Sequence, residues 1–488
     1  AAPARAGRDA ERRSVSWLTI DQGTTSTRAI LVGEDGRTRL LGAWTHRQSH
    51  PGPGLVEHDP EELLTHVAAG LAAGRAAGAS VWALANQGES CLGWDAETGA
   101  AISPVIVWQD ARTGPDCAAL AEAAAEVRAR AGLPLDPYFS ASKLGWILRH
   151  IPAARGLLDK GRLRLGTTDA FFRDRLTGRF ETDSATASRT SLMDLGTGRW
   201  DAELCRLFGV PLTALPAIGP VNGDLGAAGD LTLVASIVDQ QAALYGHGCR
   251  RPGEAKVTFG TGAFVLSVAG PERPRPGPGP LPTVAWHLAG EAPVYALEGG
   301  VYAAAAALDW ARGLGLFDDY AELDRLPGDP ALARGLAFVP ALAGLACPHW
   351  DRGARGAWLG LTLETGRADM MQALLEGVAH RTAEVLDAID AASPLRDPVA
   401  VDGGLSRSPG FCRILADTIR RPVRVSAEAE RTALGLAMLA AAAEGRVLQP
   451  EDAGQRLDPD PARPDLRAAF GRARALSQSR WLDPDAAP

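Results

Sequence analysis

Short apolar runs at Trp17–Ile20 and Arg28–Leu31 bracket Asp21-Gln22-Gly23-Thr24-Thr25, the pattern of a strand, a tight turn and a returning strand. Asp59-Pro60-Glu61-Glu62 supplies an N-cap, a proline at N1 and an acid at N3, so a helix starts there. Strand patterns follow at Val81–Ala85 and Val105–Val107, then helical stretches near 115–130 and 141–150. Leu233–Ile237 reads as a strand ending at Asp239, with Gln240–Gly246 opening a helix. The second half restarts in the same way: Lys256–Phe259 and Phe264–Ser267 flank Gly260-Thr261-Gly262. Helices at about 300–314, 368–389, 408–420 and 430–443, with a strand at Val399–Val401, complete an alternating α/β chain. Each half carries a Gly- and Thr-bearing strand-turn-strand, which suggests an internal duplication. Pro274–Pro282 reads as a loop, residues 1–16 as a frayed tail, and the Asp-, Arg- and Pro-rich stretch after Pro450 as a peripheral tail.

Composition narrows the chemistry. With 46% apolar and 22% charged residues in 488, the chain can bury a sizeable core, and its length suits two or three domains. A formal net charge of −8 argues against a broad nucleic-acid or anionic-membrane surface. The lysines are Lys143, Lys160 and Lys256, and each precedes Leu, Gly or Val, so a Walker A loop is excluded. Six scattered cysteines without a CxxC pair argue against a zinc ribbon and a disulfide framework, and a reduced cytoplasm is the expected compartment. The longest apolar run, Ala433–Ala443, is too short to span a bilayer.

Five stretches could carry chemistry. In the first turn, glycine permits close backbone approach, the Thr24, Thr25 and Ser26 hydroxyls can donate to phosphate oxygens, Asp21 can hold magnesium through water, and Arg28 is a fixed cation. Gly260-Thr261-Gly262 could form a second wall of that phosphate site, and Asp402-Gly403-Gly404 could pass beneath a nucleotide without side-chain clash. Asp239 opens a helix, where an aspartate serves either as an N-cap or as a base oriented by the preceding strand. Asn86-Gln87-Gly88-Glu89, Trp108 and Tyr138-Phe139 are amide, carboxylate and aromatic groups at strand ends. They suit a small polyhydroxylated ligand, and the aromatic rings serve equally as core. The nine histidines show no metal-binding spacing, and His247 and His380 read as packing residues.

Taken in order, IDQGTTSTRAI (20–30), PGPGLVEHDPEEL (51–63), VIVWQDART (105–113), GLPLDPYFSASKLGWIL (132–148), DQQAALYGHG (239–248), TFGTGAFVL (258–266), YALEGGVY (295–302) and VDGGLS (401–406) resemble the FGGY carbohydrate kinases, most closely their glycerol-phosphorylating branch. The resemblance implies two actin-like (ribonuclease H-like) ATPase domains, over 17–250 and 251–450, with ATP and Mg2+ in the cleft and the acceptor deeper between them. It further implies Asp239 as catalytic base and metal-side acid, and Asp21 on the metal. Thr24, Thr25, Ser26, Arg28, Gly260, Thr261, Ala305, Asp309, Gly403, Gly404 and Ser408 would lie around the nucleotide. Gly88, Glu89, Trp108, Tyr138, Gln240 and Phe264 would lie around a small polyol or sugar. A homodimer and a tetramer both remain open. The chain departs from that branch in having Gly88 where an arginine is usual, Val238 for a glycine, Asp309 for a glutamine, Ala305 for a glycine and Ser408-Pro409 for two asparagines. The missing arginine points to an acceptor larger than glycerol.

Overall fold

The computed structural model describes residues 16–326, 328–450 and 454–478; the tail expected over 1–16 lies outside them except for Ser16. Two sheets with the same internal order form the centres of two lobes. In the first, Thr38–Thr45, Ser26–Gly33, Ser16–Gln22, Val81–Asn86 and Leu231–Val238 lie side by side, and the short strand Ala227–Ala228 sits at one edge. The first three strands pair antiparallel and the last three parallel. In the second, Val294–Val301, Ala263–Gly270, Ala255–Phe259, Val399–Gly403 and Val423–Val425 repeat that order and those directions. Parallel strands need both faces covered. Helix Pro60–Ala76, capped by the Asp59 side chain, covers part of the first sheet, and Arg367–Ala392 covers part of the second.

The lobes are joined by two helices that cross between them. Asp239–Gly246 follows the last parallel strand of the first lobe, while Arg431–Ala443 of the second lobe lies on it and on the first sheet. Their backbones touch: a Cβ on Gly246 would lie 2.0 Å from the Arg431 carbonyl oxygen, and one on Gly435 1.8 Å from that of Ala242. One hydrophobic cluster therefore spans both lobes, joining Trp17, Ala83 and Ile237 to Leu266, Ala296 and Leu436.

Several expected elements differ. The helix expected at about 300–314 begins only at Ala305, because Val294–Val301 continues as a central strand and Ala304 and Ala306 donate their backbone N–H groups to the Thr261 carbonyl. The stretch near 115–130 is interrupted at Leu120. Leu281 and Pro282, expected in the loop, start an edge strand. The stretch after Pro450 is not merely peripheral: Gln455–Leu457 pairs with Val423–Val425, and helix Arg467–Gln478 buries Phe470 against His380. Among the described residues no helix is long and apolar enough to cross a membrane.

Candidate active site

Three parallel strands of the first lobe end at one place. Val238 pairs with Asn86, and Asn86 with Gln22, so Asp21, the Gln87-Gly88-Glu89 turn and Asp239 emerge together at the carboxyl edge of the sheet. Crevices outside such strand ends are where open α/β sheets place ligands. The facing wall comes from the second lobe: Thr258, Gly260, Thr261, Phe264 and Glu298. The resulting cavity, of about 170 Å³, is also lined by Thr24, Trp108, Tyr138, Arg189 and Gln240.

Charge is concentrated here. Asp21 and Asp239 are both pushed up, to about 7 and about 6, first by burial. Each has further causes: Asp239 and Glu430 raise Asp21 against Arg28, while Glu89 raises Asp239 against Lys256. Asp239 is positioned by its own helix: the Gln240 backbone N–H donates to Oδ1 at 2.7 Å, and the Gln240 side-chain amide donates to Oδ2 at 3.4 Å. Gln240 is held in turn by the buried Lys256, whose Nζ donates to Gln240 Oε1 at 2.5 Å and to Thr258 Oγ1 at 2.8 Å.

The turn from Gly23 to Ser26 closes through a Gly23 N–H to Ser26 carbonyl bond of 3.0 Å, and the Trp108 indole donates to Thr24 Oγ1 at 3.0 Å. Trp108 thus ties the first turn to an aromatic group with Tyr138 and Phe264, at centroid distances of 5.4 and 6.2 Å. Thr25 is exposed on the tip. Arg28, beside Asp21 in the hairpin register, reaches across the lobes to Glu430 at 2.6 Å. In the second lobe, Ala305 donates its N–H to the Gly260 carbonyl at 3.1 Å, which ties the second turn to the helix after it. A Cβ on Gly403 would lie 2.3 Å from the Phe259 carbonyl oxygen. Gly403 and Gly404 face a separate polar hollow of about 530 Å³ that also contains Arg28 and Glu430.

Of the residues implied by resemblance, Arg28, Gly403 and Gly404 lie at the separate hollow, Thr25 and Ser26 belong to the first turn, and Ala305 opens the helix tied to the second. Asp21, Thr24, Gly88, Glu89, Trp108, Tyr138, Asp239, Gln240, Gly260, Thr261 and Phe264 converge on or beside the cavity. Ser408 and Asp309 are occupied elsewhere: Ser408 caps its helix by accepting from the Phe411 N–H and donates to Asp324, and Asp309 accepts the Tyr320 hydroxyl at 2.6 Å. Four buried residues at the site lie outside those expectations: Lys143, Arg189, Glu298 and Lys256. Lys143 gathers the carbonyls of Val107, Trp108 and Tyr138 at 2.9, 3.1 and 3.2 Å. Arg189 donates to Glu89 at 2.7 Å and to Glu298 at 2.8 Å, and Lys256 is the fourth. Of these, only Lys143 and Lys256 gave a sequence signal, as two of the chain's few lysines.

Two family models cover most of the chain: the N-terminal domain of the FGGY family of carbohydrate kinases matches residues 16–232, and its C-terminal domain matches 255–444. The chain belongs to the FGGY carbohydrate kinases. Similar curated proteins include glycerol kinases from Thermus brockianus, 44% identical over 86% of this chain and 88% of that protein, and from Methylobacterium nodulans, 42% identical over 89% and 90%. Among solved structures, the Plasmodium falciparum glycerol kinase with ADP superposes with a TM-score of 0.84 at 27% identity, over 96% of this chain and 97% of that one. A xylulose kinase from Rhodospirillum rubrum gives 0.82 at 25%, over 95% and 98%. The two sheets are thus the two actin-like ATPase domains of an FGGY kinase.

Within that family frame, the departures at 88 and 238 are one feature. Gly88 has φ of +21°, and a Cβ there would lie 3.3 Å from Val238 Cγ2. The valine methyl occupies ground beside the position where a longer side chain would leave the backbone. The space expected from the missing arginine is therefore partly filled, and this wall is apolar.

Proposed function

We propose that this FGGY kinase transfers the terminal phosphoryl group of ATP to a primary hydroxyl of a small, uncharged polyol or ketose in the cytoplasm. The observation that carries the reading is the convergence of Asp239, Asp21 and the two Gly/Thr turns from opposite lobes on one cavity. Phosphoryl transfer runs through a loose transition state, so catalysis consists mainly of positioning and charge stabilisation. In this reading Asp239 orients the acceptor hydroxyl and takes its proton as the bond to phosphorus forms. Its pKa near 6 suits a base at neutral pH better than that of an ordinary aspartate. Thr24 and Thr261, which line the cavity, would donate to the phosphate oxygens, and Arg28 would supply a cation on exchanging Glu430 for one of them.

The Asp239 carboxylate raises the affinity of Asp21 for positive charge, which fits a magnesium ion. Among the described residues no cluster of three or more acidic, His or Cys side chains could cage a metal, so phosphate and water would supply most of its coordination. Asp21 and Asp239 would hold the magnesium ion, which would supply positive charge beside the transferring phosphoryl group. Closure of the lobes about the crossing helices excludes water and so favours transfer over hydrolysis.

Glycerol itself is the second reading, favoured by the glycerol kinases at 42–44% identity. Gly88 and Val238 favour a different acceptor, because a lost charged donor costs roughly 1.5–3 kcal/mol for a ligand that used it. A panel of polyols and ketoses, read by acceptor-dependent ADP release, tests both. Asp239→Asn should retain acceptor binding and lose turnover by at least about a hundredfold; near-normal kcat would remove the mechanism.

A further inference from the structure

The cavity contains a buried cation that the expected acceptor-binding residues do not include. Arg189 follows the short helix Ser184–Ala187, is 2% exposed, and lines both the acceptor cavity and a small extension behind it. Its guanidinium is fixed on three sides. Nε donates to Glu89 Oε1 at 2.7 Å, Nη2 donates to Glu298 Oε1 at 2.8 Å, and the group lies 5.4 Å from the centre of the Phe139 ring. Nη1 is buried and has no hydrogen-bond partner. A guanidinium cannot shed its proton, so an unpaired buried N–H there is a standing demand for an acceptor atom.

The neighbours define what can meet that demand. Glu89 and Glu298 each keep a second carboxylate oxygen able to accept from a hydroxyl, while their two charges outweigh the single charge on Arg189. With Asp239 and Asp21 added to the two glutamates, the four acids exceed the three cations Arg189, Lys256 and Lys143, so an anionic ligand would enter a site that is already net negative. The Gly88–Val238 wall offers no donor of its own. Resting on the kinase reading above, we infer that Arg189 selects the acceptor. Its free Nη1 donates to a hydroxyl remote from the phosphorylated carbon, and the paired Glu89 and Glu298 restrict the site to uncharged polyols and ketoses, excluding aldonates.

The test compares acceptors that differ only in the remote hydroxyl: glycerol with propane-1,2-diol, erythritol with butane-1,2,3-triol, and D-xylulose with 1-deoxy-D-xylulose. Erythronate is the anionic control. A site built to pair a hydroxyl rejects its deoxy analogue strongly, so the wild-type protein should prefer the hydroxylated member of its best pair by at least about a hundredfold in kcat/KM, and erythronate should be inert. Arg189→Gln should reduce that preference to about fivefold or less, mainly through KM. Because Arg189→Gln leaves two buried glutamates without their cation, Arg189→Gln/Glu298→Gln is measured alongside it, with its melting temperature as the check on folding. Full discrimination in a folded variant, none in the wild type, or turnover of erythronate would overturn the inference. Absence of ADP release with every acceptor would instead overturn the kinase reading, and this one with it.

Discussion

Replacing Gly88 by arginine tests whether the wall at 88 and 238 is one unit. The new side chain would start from a backbone with φ of +21°, and its Cβ would meet Val238 Cγ2 at 3.3 Å. A side chain forced into sparsely populated backbone space costs about 1–3 kcal/mol. A charged hydrogen bond to a glycerol hydroxyl returns about 1.5–3 kcal/mol. The strain lowers the stability of the free and bound protein alike, while the contact with Val238 turns the guanidinium away from the acceptor, so Gly88→Arg alone should change kcat/KM for glycerol by less than about fivefold. Adding Val238→Gly removes the methyl contact and lets the strand end relax. The double variant should then gain about 10- to 100-fold for glycerol over the single one, with the acceptor preference moving toward three carbons. The assay is acceptor-dependent ADP release, run on the wild type, both single variants and the double variant, with thermal melts of each. The cycle should return a coupling of about 1 kcal/mol or more, as expected for residues in contact. If Gly88→Arg alone reaches the double variant's rate, Val238 does not compensate for Gly88 and the reasoning is wrong.

Three further outcomes follow from the site. Lys256→Met removes the cation that opposes the rise of Asp239 and the donor that holds Gln240; the acid limb of the kcat/KM profile should move up by about one pH unit, with recovery near pH 8.5, whereas an equal loss at every pH would refute the role. Asp21 and Asp239 hold protons in the native state up to about 7 and 6 that the unfolded chain releases near 4, so the ligand-free protein loses stability as pH rises through that window. Asp21→Asn should therefore raise Tm at pH 8 by a few degrees and leave it unchanged near pH 4; a lower Tm at pH 8 would contradict the like-charge reading. Gly435→Ala places a methyl 1.8 Å from the Ala242 carbonyl oxygen, so denaturant unfolding should show a loss of about 2 kcal/mol or more, and an unchanged midpoint would mean the crossing helices separate freely.

Much of the first-lobe site is local and could be read along the chain. Strand, turn and strand at 17–31 lie in consecutive residues, as do the strand into Asp239 and the cap at Asp59. The alanine run at 303–307 differs from its sequence expectation for a specific reason: its helical propensity extends to both ends, but carbonyls of the second turn claim its first N–H groups and delay the helix to Ala305. Nothing around Arg189 in the sequence marks it. Its partners Glu89 and Glu298 are 100 and 109 residues away.

Sequence alone determined which residues end strands, which turns can admit a phosphate, and that a Walker loop is absent, because backbone geometry and side-chain type act over a few residues. Tertiary structure alone decided that Val238 fills the ground beside Gly88, that Lys256 anchors Gln240, and that Arg189 keeps one donor free between two glutamates. These are matters of burial and distance across the cleft, and the free energy of a charge depends on what surrounds it in space, which a linear chain does not record.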